Sequence, residues 1–233
     1  MALLTVASYQ VAPAKNFPEP DLARIIFFHL PCAFATVGFV IFAAICSYRY
    51  LATRDWIWEF RAVAATEISM GVAIATMLSG ILFSKVQWGA WWHWDPRQTS
   101  FLIVLLLLGA YFAVRMAFED EVSRARAAAA YSSLTLLPIL FLFFVFPRLP
   151  QVLKNSLHPS TTVQSGGFSR DYWMVVLGIF ILLLGMCIWL YKLHVRTSLL
   201  EQALKDRDGN LETSGNSPTA HRVDRSVSVH EPN

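Results

Sequence analysis

The chain has 233 residues, of which 55% are hydrophobic and 15% are charged, and its formal net charge is +3. A soluble domain of average composition carries about 25% charged residues, so these proportions argue against a water-soluble globule. The three cysteines form no C-x-x-C pair, and no patch interleaves basic and aromatic residues, which argues against a disulfide framework, a zinc site and a nucleic-acid partner.

Apolar residues gather in five blocks, each long enough to cross a membrane. A hydrocarbon core of about 30 Å requires about 20 apolar residues in a helix. The stretches that meet this requirement are residues 25–47, 62–83, 99–118, 127–146 and 172–193. The sequence therefore predicts an all-α fold, a polytopic bundle of five transmembrane helices. Glu67, near the start of the second stretch, is predicted to be an interfacial carboxylate.

Lysine and arginine residues are distributed unevenly between the two sides of this bundle. Of the 19, 12 lie in the first interhelical loop, the loop between spans three and four, and the C-terminal tail. The positive-inside rule places that side in the cytoplasm. We therefore expect residues 1–24 to lie outside and residues 25–195 to form the membrane domain. Residues 196–233 are expected to form a cytoplasmic tail that is disordered, because the chain turns polar there.

The connection between the second and third spans holds four of the chain's eight tryptophans within seven residues, namely Trp88, Trp91, Trp92 and Trp94. An aromatic belt at the membrane interface is one interpretation. A belt, however, has no reason to place four tryptophans in one connection. The alternative is a rigid aromatic platform for a large planar apolar ligand, with Arg97 or Lys85 available to anionic groups on that ligand.

The residues that follow the tryptophans are typical of a helix start. Asp95 can cap the third span, Pro96 suits the first helical position, and Gln98 stands where a capping box has its Glu or Gln. Asp95 is therefore expected to have a structural role beside any contact with a ligand.

Two histidines are predicted on the same side as the tryptophans. His29 lies near the outer end of the first span, and His158 lies in the outer loop between spans four and five. Neutral imidazole is a strong iron ligand. Pro31 suits the first turn of a helix, which would place His29 at the entry to the membrane. A lone interfacial histidine is often only an amphipathic residue, but two that converge on an aromatic platform favour a binding role.

These residues resemble a known family. The segment 88–99 resembles the tryptophan-rich WWD signature of haem-handling proteins in cytochrome c biogenesis. The segments 24–31 and 155–158 resemble the two histidine motifs of the haem exporter protein C (CcmC) family, and the similarity covers roughly residues 20–195. It implies a bacterial inner-membrane protein, not an enzyme, that binds haem b at its outer face and delivers it to a periplasmic haem chaperone of the CcmE type.

The resemblance also implies partners and residue roles. The partners are an ABC transporter module and a small membrane subunit, within the lipid bilayer. His29 and His158 would be the axial ligands of the haem iron. The remaining haem-binding residues would be the platform of Trp88, Gly89, Trp91, Trp92, Trp94 and Asp95, bordered by Arg24 and Arg97.

Two departures from the family pattern leave alternatives open. The family usually has six spans, whereas five are visible here. The residues Pro96 to Gln98 stand where the family more often has Ala, Arg and Leu.

The alternative functions are those of a haem-bearing electron-transfer membrane protein and, within the superfamily, of a component that ligates haem to apocytochrome c. A solute permease is disfavoured because the spans are largely unbroken apolar stretches.

Overall fold

A computed structural model describes residues 2–14, 17–158 and 168–215, and within these ranges every regular element is helical. The helices are α1 (Ala2–Gln10), α2 (Ile26–Thr53), α3 (Trp56–Trp88), α4 (Pro96–Met116), α5 (Glu121–Leu140), α6 (Pro150–Leu153) and α7 (Arg170–Gly215). A 3-10 turn, Leu22–Ile25, precedes α2. A π segment, Phe141–Val145, and a 3-10 turn, Phe146–Arg148, follow α5.

Five helices in the described part of the chain are long and apolar enough to cross a membrane. With their 3-10 and π extensions they are Leu22–Thr53, Trp56–Trp88, Pro96–Met116, Glu121–Arg148 and Arg170–Gly209. Each of the five predicted spans falls on a different one of these helices. The predicted all-α bundle with five membrane-crossing helices is therefore confirmed.

Helix α2 is the centre of the bundle, because it packs against α3, α5 and α7. Small side chains let these helices approach closely. Ala35 and Ala43 of α2 are buried with Ala65 of α3, against Leu183 and Cys187 of α7. Lipid tails are as apolar as leucine, so close packing of this kind, rather than a hydrophobic driving force, holds such helices together.

The start of α2 differs from the sequence prediction. The helical segment begins at Leu22, and α2 itself begins at Ile26, so Pro31 lies inside the helix and not in its first turn. Pro31 is buried and removes the hydrogen bond that the Phe27 carbonyl would otherwise accept. His29 therefore lies in the first turn of α2.

The end of α5 is irregular where it approaches the other helices. Pro138 interrupts its hydrogen-bond ladder, and the π segment and 3-10 turn follow within a few residues. π segments inside helices frequently occur at functional sites. Phe143 and Arg148, which belong to this irregular part, both line a cavity inside the bundle.

Charged and polar side chains join helices farther from this cavity. Arg115 of α4 pairs with the buried Glu59 of α3, and His194 of α7 lies 2.9 Å from the Glu67 carboxylate of α3. Helix α3 begins at Trp56 and not at residue 62, so Glu67 lies about three turns into it and not near its start. The sequence does not reveal its neighbour His194.

Helix α7 extends farther than the sequence predicts. It continues to Gly215, so the structure differs from the predicted disorder over residues 196–215, while residues 216–233 lie outside the described ranges. The added segment contains the run Leu-Leu-Glu-Gln-Ala-Leu-Lys at residues 199–205, in which every residue favours helix. Adding residues to an existing helix also costs far less free energy than nucleating a new helix. Lys205 in this segment pairs with Glu121 of α5 at 3.0 Å.

Candidate functional site

A cavity of about 210 Å³ lies at the end of the bundle where α3 stops and α4 starts. Its wall is formed by α2, α3, α4, the irregular end of α5 and the first turns of α7. His29 of α2 and His158, which precedes α7, both line this cavity. The fold thus brings together the two histidines that the sequence singles out, although they lie far apart along the chain.

His29 is held by α3 through one of its two ring nitrogens. Its Nδ1 lies 3.1 Å from the carbonyl oxygen of Thr76 and 3.0 Å from Oγ of Ser79. A carbonyl oxygen can only accept, so Nδ1 carries the hydrogen and donates it to Thr76. In this tautomer Nε2 keeps its lone pair, and no described residue forms a hydrogen bond with it. The imidazole can therefore bind a metal ion through the lone pair of Nε2.

Gly80 makes room for this imidazole. A Cβ atom added at Gly80 would lie 3.1 Å from Cε1 of His29, closer than ordinary van der Waals contact. Gly71, on the same helix, has no atom within 4 Å of such a Cβ. Gly80 is thus a positioning residue for His29 that the sequence analysis misses, although a glycine within an apolar helical pattern is a signal of close packing.

Asp95 joins the tryptophan-rich loop to the segment that carries His158. Its side chain is buried. One carboxylate oxygen accepts the backbone N–H of Arg97 at 2.8 Å, which caps α4 as predicted. The other oxygen accepts the hydroxyl of Ser156 at 2.9 Å and the backbone N–H of Leu157 at 2.6 Å. Hydrogen bonds to an ionised carboxylate are strong, so one side chain sets both the start of α4 and the position of the histidine segment.

Gln98 takes a different partner from the one that a capping box requires. Its Oε1 accepts the backbone N–H of His93 at 3.2 Å, and no bond to the Asp95 N–H is formed. The Gln98 side chain therefore joins the first turn of α4 to the loop through the backbone of His93. Pro96 occupies the first helical position, as predicted.

His158 follows directly after the residues that Asp95 holds. Its backbone N–H donates to Oγ of Ser156 at 3.2 Å. Burial lowers the pKa of His158 well below its usual range, and the nearby positive charges of Arg97 and Arg148 lower it further. The imidazole is therefore neutral at pH 7, which is the form that binds metal ions.

The four tryptophans of the loop divide between the cavity and the surface. Trp88 lines the cavity and packs edge-on against Phe83, with ring centroids 5.5 Å apart. Trp91 is 56% exposed and Trp94 is 73% exposed. Trp92 contacts Trp94 edge-to-face at 5.7 Å. Of these four tryptophans only Trp88 lines the cavity, as does Asp95 of the predicted platform, while Trp91 and Trp94 present their rings at the surface.

Two residues with positive φ angles shape this loop. Gly89, at φ 83°, ends α3, and its N–H donates to the Lys85 carbonyl at 3.1 Å. A left-handed residue after a helix favours glycine because it lacks Cβ. Trp94 has a φ of 54°, which is uncommon for a bulky residue. The loop therefore holds Trp94 in a conformation that the sequence does not predict.

Two arginines line the cavity. Arg97 was expected there from the sequence, whereas Arg148 was not. The signal for Arg148 is a basic residue directly after Pro147, at the end of an apolar span. Arg24 does not line the cavity, although the resemblance places it beside the platform. Its guanidinium donates to the carbonyl oxygens of Ser8 and Val11 and so ties down the end of α1.

The chemistry of the cavity suits a flat, largely apolar ligand that carries carboxylates. Most of its wall is aliphatic and aromatic, and the arginines supply positive charge. Among the described residues, no three His, Cys, Asp or Glu side chains form a group that could hold a metal ion. Two histidines on one cavity instead suit an iron whose other four ligands come from a porphyrin.

Comparison with known proteins agrees with this description. A family model described as heme exporter protein C matches residues 1–210. A protein of that name from Bradyrhizobium diazoefficiens is 31% identical over 171 residues, which cover 72% of this chain and 63% of the relative. The proteins of that name from Paracoccus denitrificans and Escherichia coli are 30% and 29% identical, over 48% and 55% of this chain and 46% and 53% of their own lengths.

The chain thus spans about half the length of the curated relatives that it matches. The family model, by contrast, covers nearly all of this chain, from the first residue into the extension of α7. The chain belongs to the heme exporter protein C family.

Proposed function

We propose that this protein binds haem b non-covalently, with His29 and His158 as the axial ligands, and passes it to a periplasmic haem chaperone for cytochrome c maturation. The observation that carries the proposal is that two imidazoles from distant segments line one aromatic cavity beside a tryptophan-rich loop. The names of the relatives support a role in haem handling.

The residues that line the cavity fit haem. His29 has a lone pair on Nε2 because its Nδ1 donates to Thr76, and His158 is neutral because of burial and nearby positive charge. Arg97 and Arg148 can pair with the two propionates. Haem would supply an iron that neutral imidazoles bind, and His29 and His158 would hold it.

Asp95 contributes to haem binding indirectly. Both of its carboxylate oxygens already accept hydrogen bonds, one from Arg97 and the other from Ser156 and Leu157. We therefore assign it the task of holding His158 at the cavity, and not a direct contact with haem.

The exposed tryptophans suit the transfer step. Trp91 and Trp94 expose most of their ring area at the same end of the bundle as the cavity. Exposed indoles offer flat apolar surface at low conformational cost, which favours a transient contact with haem or with a chaperone. Trp92 and Gly89 support this surface from within the loop.

The sidedness of the protein follows from its loop charges. The end that carries the cavity is proposed to face the periplasm, because 12 of the 19 basic residues belong to the other side and the C-terminus. An ABC transporter module and a small membrane subunit are the further partners that we propose. Binding and transfer of haem require no chemical turnover, so the proposed role is delivery and not catalysis.

We expect His29→Gly and His158→Gly each to lower the haem content of the purified protein several-fold, because each change removes one axial ligand. Added imidazole should restore the lost absorbance by filling the vacated position. The measurement is the Soret band per protein in detergent. His194→Gln, which removes an imidazole distant from the cavity but keeps a hydrogen-bond donor for Glu67, is the control. Full haem content with unchanged spectra in both His29→Gly and His158→Gly would contradict the bis-histidine assignment.

Gly80→Ala should disturb haem binding without unfolding the protein. The new methyl group would press on Cε1 of His29 and move Nε2 from its position at the cavity. We expect a shifted Soret maximum and at least a severalfold loss of haem. Gly71→Ala places the same methyl group in open space on the same helix. It should leave the Soret maximum and the haem content unchanged. Identical spectra for the two variants would show that the packing of His29 against α3 does not affect haem binding.

Trp91→Ala and Trp94→Ala should impair transfer more than folding. Each change removes exposed ring area and little buried core, so the variant should accumulate in the membrane at the normal level. The quantity to measure is haem-loaded chaperone after coexpression, which we expect to fall. If both variants instead disappear from the membrane, the tryptophans serve as an interfacial belt and the transfer role is wrong.

A further inference from the structure

Two arginines lie on one indole at the end of the bundle opposite the histidine cavity. The guanidinium carbon of Arg49 lies 4.6 Å from the ring centroid of Trp58, and that of Arg61 lies 4.7 Å from it. Arg49 belongs to the last turns of α2, whereas Trp58 and Arg61 belong to the first turns of α3. These three residues, the arginine–tryptophan cluster, therefore join the two helices beside their connecting turn.

The positive charge of this cluster is uncompensated within the described residues. Neither Arg49 nor Arg61 has a carboxylate within ion-pair distance there, and the neighbouring Glu59 is already paired with Arg115. Since both distances are measured to one ring, the two charges lie within roughly 10 Å of each other, the Debye length at 0.1 M salt. Two like charges held this close raise the local positive potential, which favours the binding of an anion at this cluster.

An exposed apolar stripe on α2 leads from this cluster into the membrane span. Ile45 lies one turn before Arg49, and Phe42 lies a further turn away, so all three share a face of the helix. Ile45 is 48% exposed and Phe42 is 36% exposed. Phe42 also contacts Tyr191 of α7 edge-on, with centroids 5.5 Å apart, so α7 borders the stripe. An acyl chain would pack against this apolar surface, whereas a free anion would not contact it.

We infer that the arginine–tryptophan cluster binds the phosphate of an anionic phospholipid, whose acyl chain lies along Ile45 and Phe42. Guanidinium groups match the geometry of a phosphate and bind it in a bidentate manner. The turn between two membrane-crossing helices lies at the membrane surface, at the depth of lipid headgroups, where tryptophan is also enriched. The site is independent of the proposed haem function, because it is built from other residues at the other end of the bundle.

Native mass spectrometry of the full chain in detergent tests this inference. The protein is titrated with phosphatidylglycerol and, separately, with phosphatidylcholine of the same acyl chains. We expect tighter binding of phosphatidylglycerol, and Arg49→Gln or Arg61→Gln should each weaken it about fivefold. Arg124→Gln is the matched control, because Arg124 has a carboxylate partner in Glu121, and it should leave the preference unchanged.

Two further measurements keep the inference falsifiable if the glutamine variants fold poorly. The double change of Arg49→Lys and Arg61→Lys keeps both charges but removes the paired N–H donors of the guanidinium groups. It should therefore retain only part of the preference for phosphatidylglycerol. Inorganic phosphate at millimolar concentration should fail to displace phosphatidylglycerol. Equal binding of the two lipids by the unaltered protein, a preference that survives loss of both arginines, or full displacement by phosphate would overturn the lipid site.

Discussion

The geometry of the cavity depends on one buried carboxylate. Asp95 accepts hydrogen bonds from the start of α4 and from the segment that ends at His158, so it joins two parts of the chain that no helix connects directly. Donors to a buried carboxylate lose their partners if it is removed, and unpaired buried donors are costly. His29, on the other wall, is fixed separately by the Thr76 carbonyl and by the space at Gly80. The two imidazoles are therefore positioned by different neighbours.

The membrane explains where regular helix stops. In hydrocarbon every backbone polar group must be satisfied within the protein, so irregular backbone is tolerated where it lines a cavity or reaches water. The π segment after α5 and the loop before α4 both lie at the cavity. The opposite end of the bundle holds instead the buried Glu59–Arg115 pair and the arginine–tryptophan cluster. The two ends thus carry different chemistry, with two histidines and two arginines on a cavity at one end and arginines on an indole at the other.

Apolar blocks, helix-capping residues and clustered tryptophans are local signals, and they predict the five helices, the Asp95 cap and the side of the bundle on which the two cavity-lining histidines lie. Contacts between distant segments are not local, which is why the sequence hides the bonds from Asp95 to Ser156 and Leu157. It also hides the fit of Gly80 against His29 and the place of Arg148 on the cavity wall. Helix α3 begins before its predicted span because Glu59 and Arg61 interrupt an apolar run that the helix nevertheless includes, and α7 ends later because a formed helix continues into polar sequence.

The most direct test is whether Asp95 acts through His158. Asp95→Asn keeps the shape of the side chain, but its single accepting oxygen cannot serve both the Arg97 N–H and the Ser156 and Leu157 donors. The measurement is the Soret spectrum and haem content of Asp95→Asn, alone and combined with each histidine change. We predict that adding His158→Gly causes little further loss, whereas adding His29→Gly causes a full additional loss. Additive losses in both combinations, or full haem content in Asp95→Asn alone, would contradict the account.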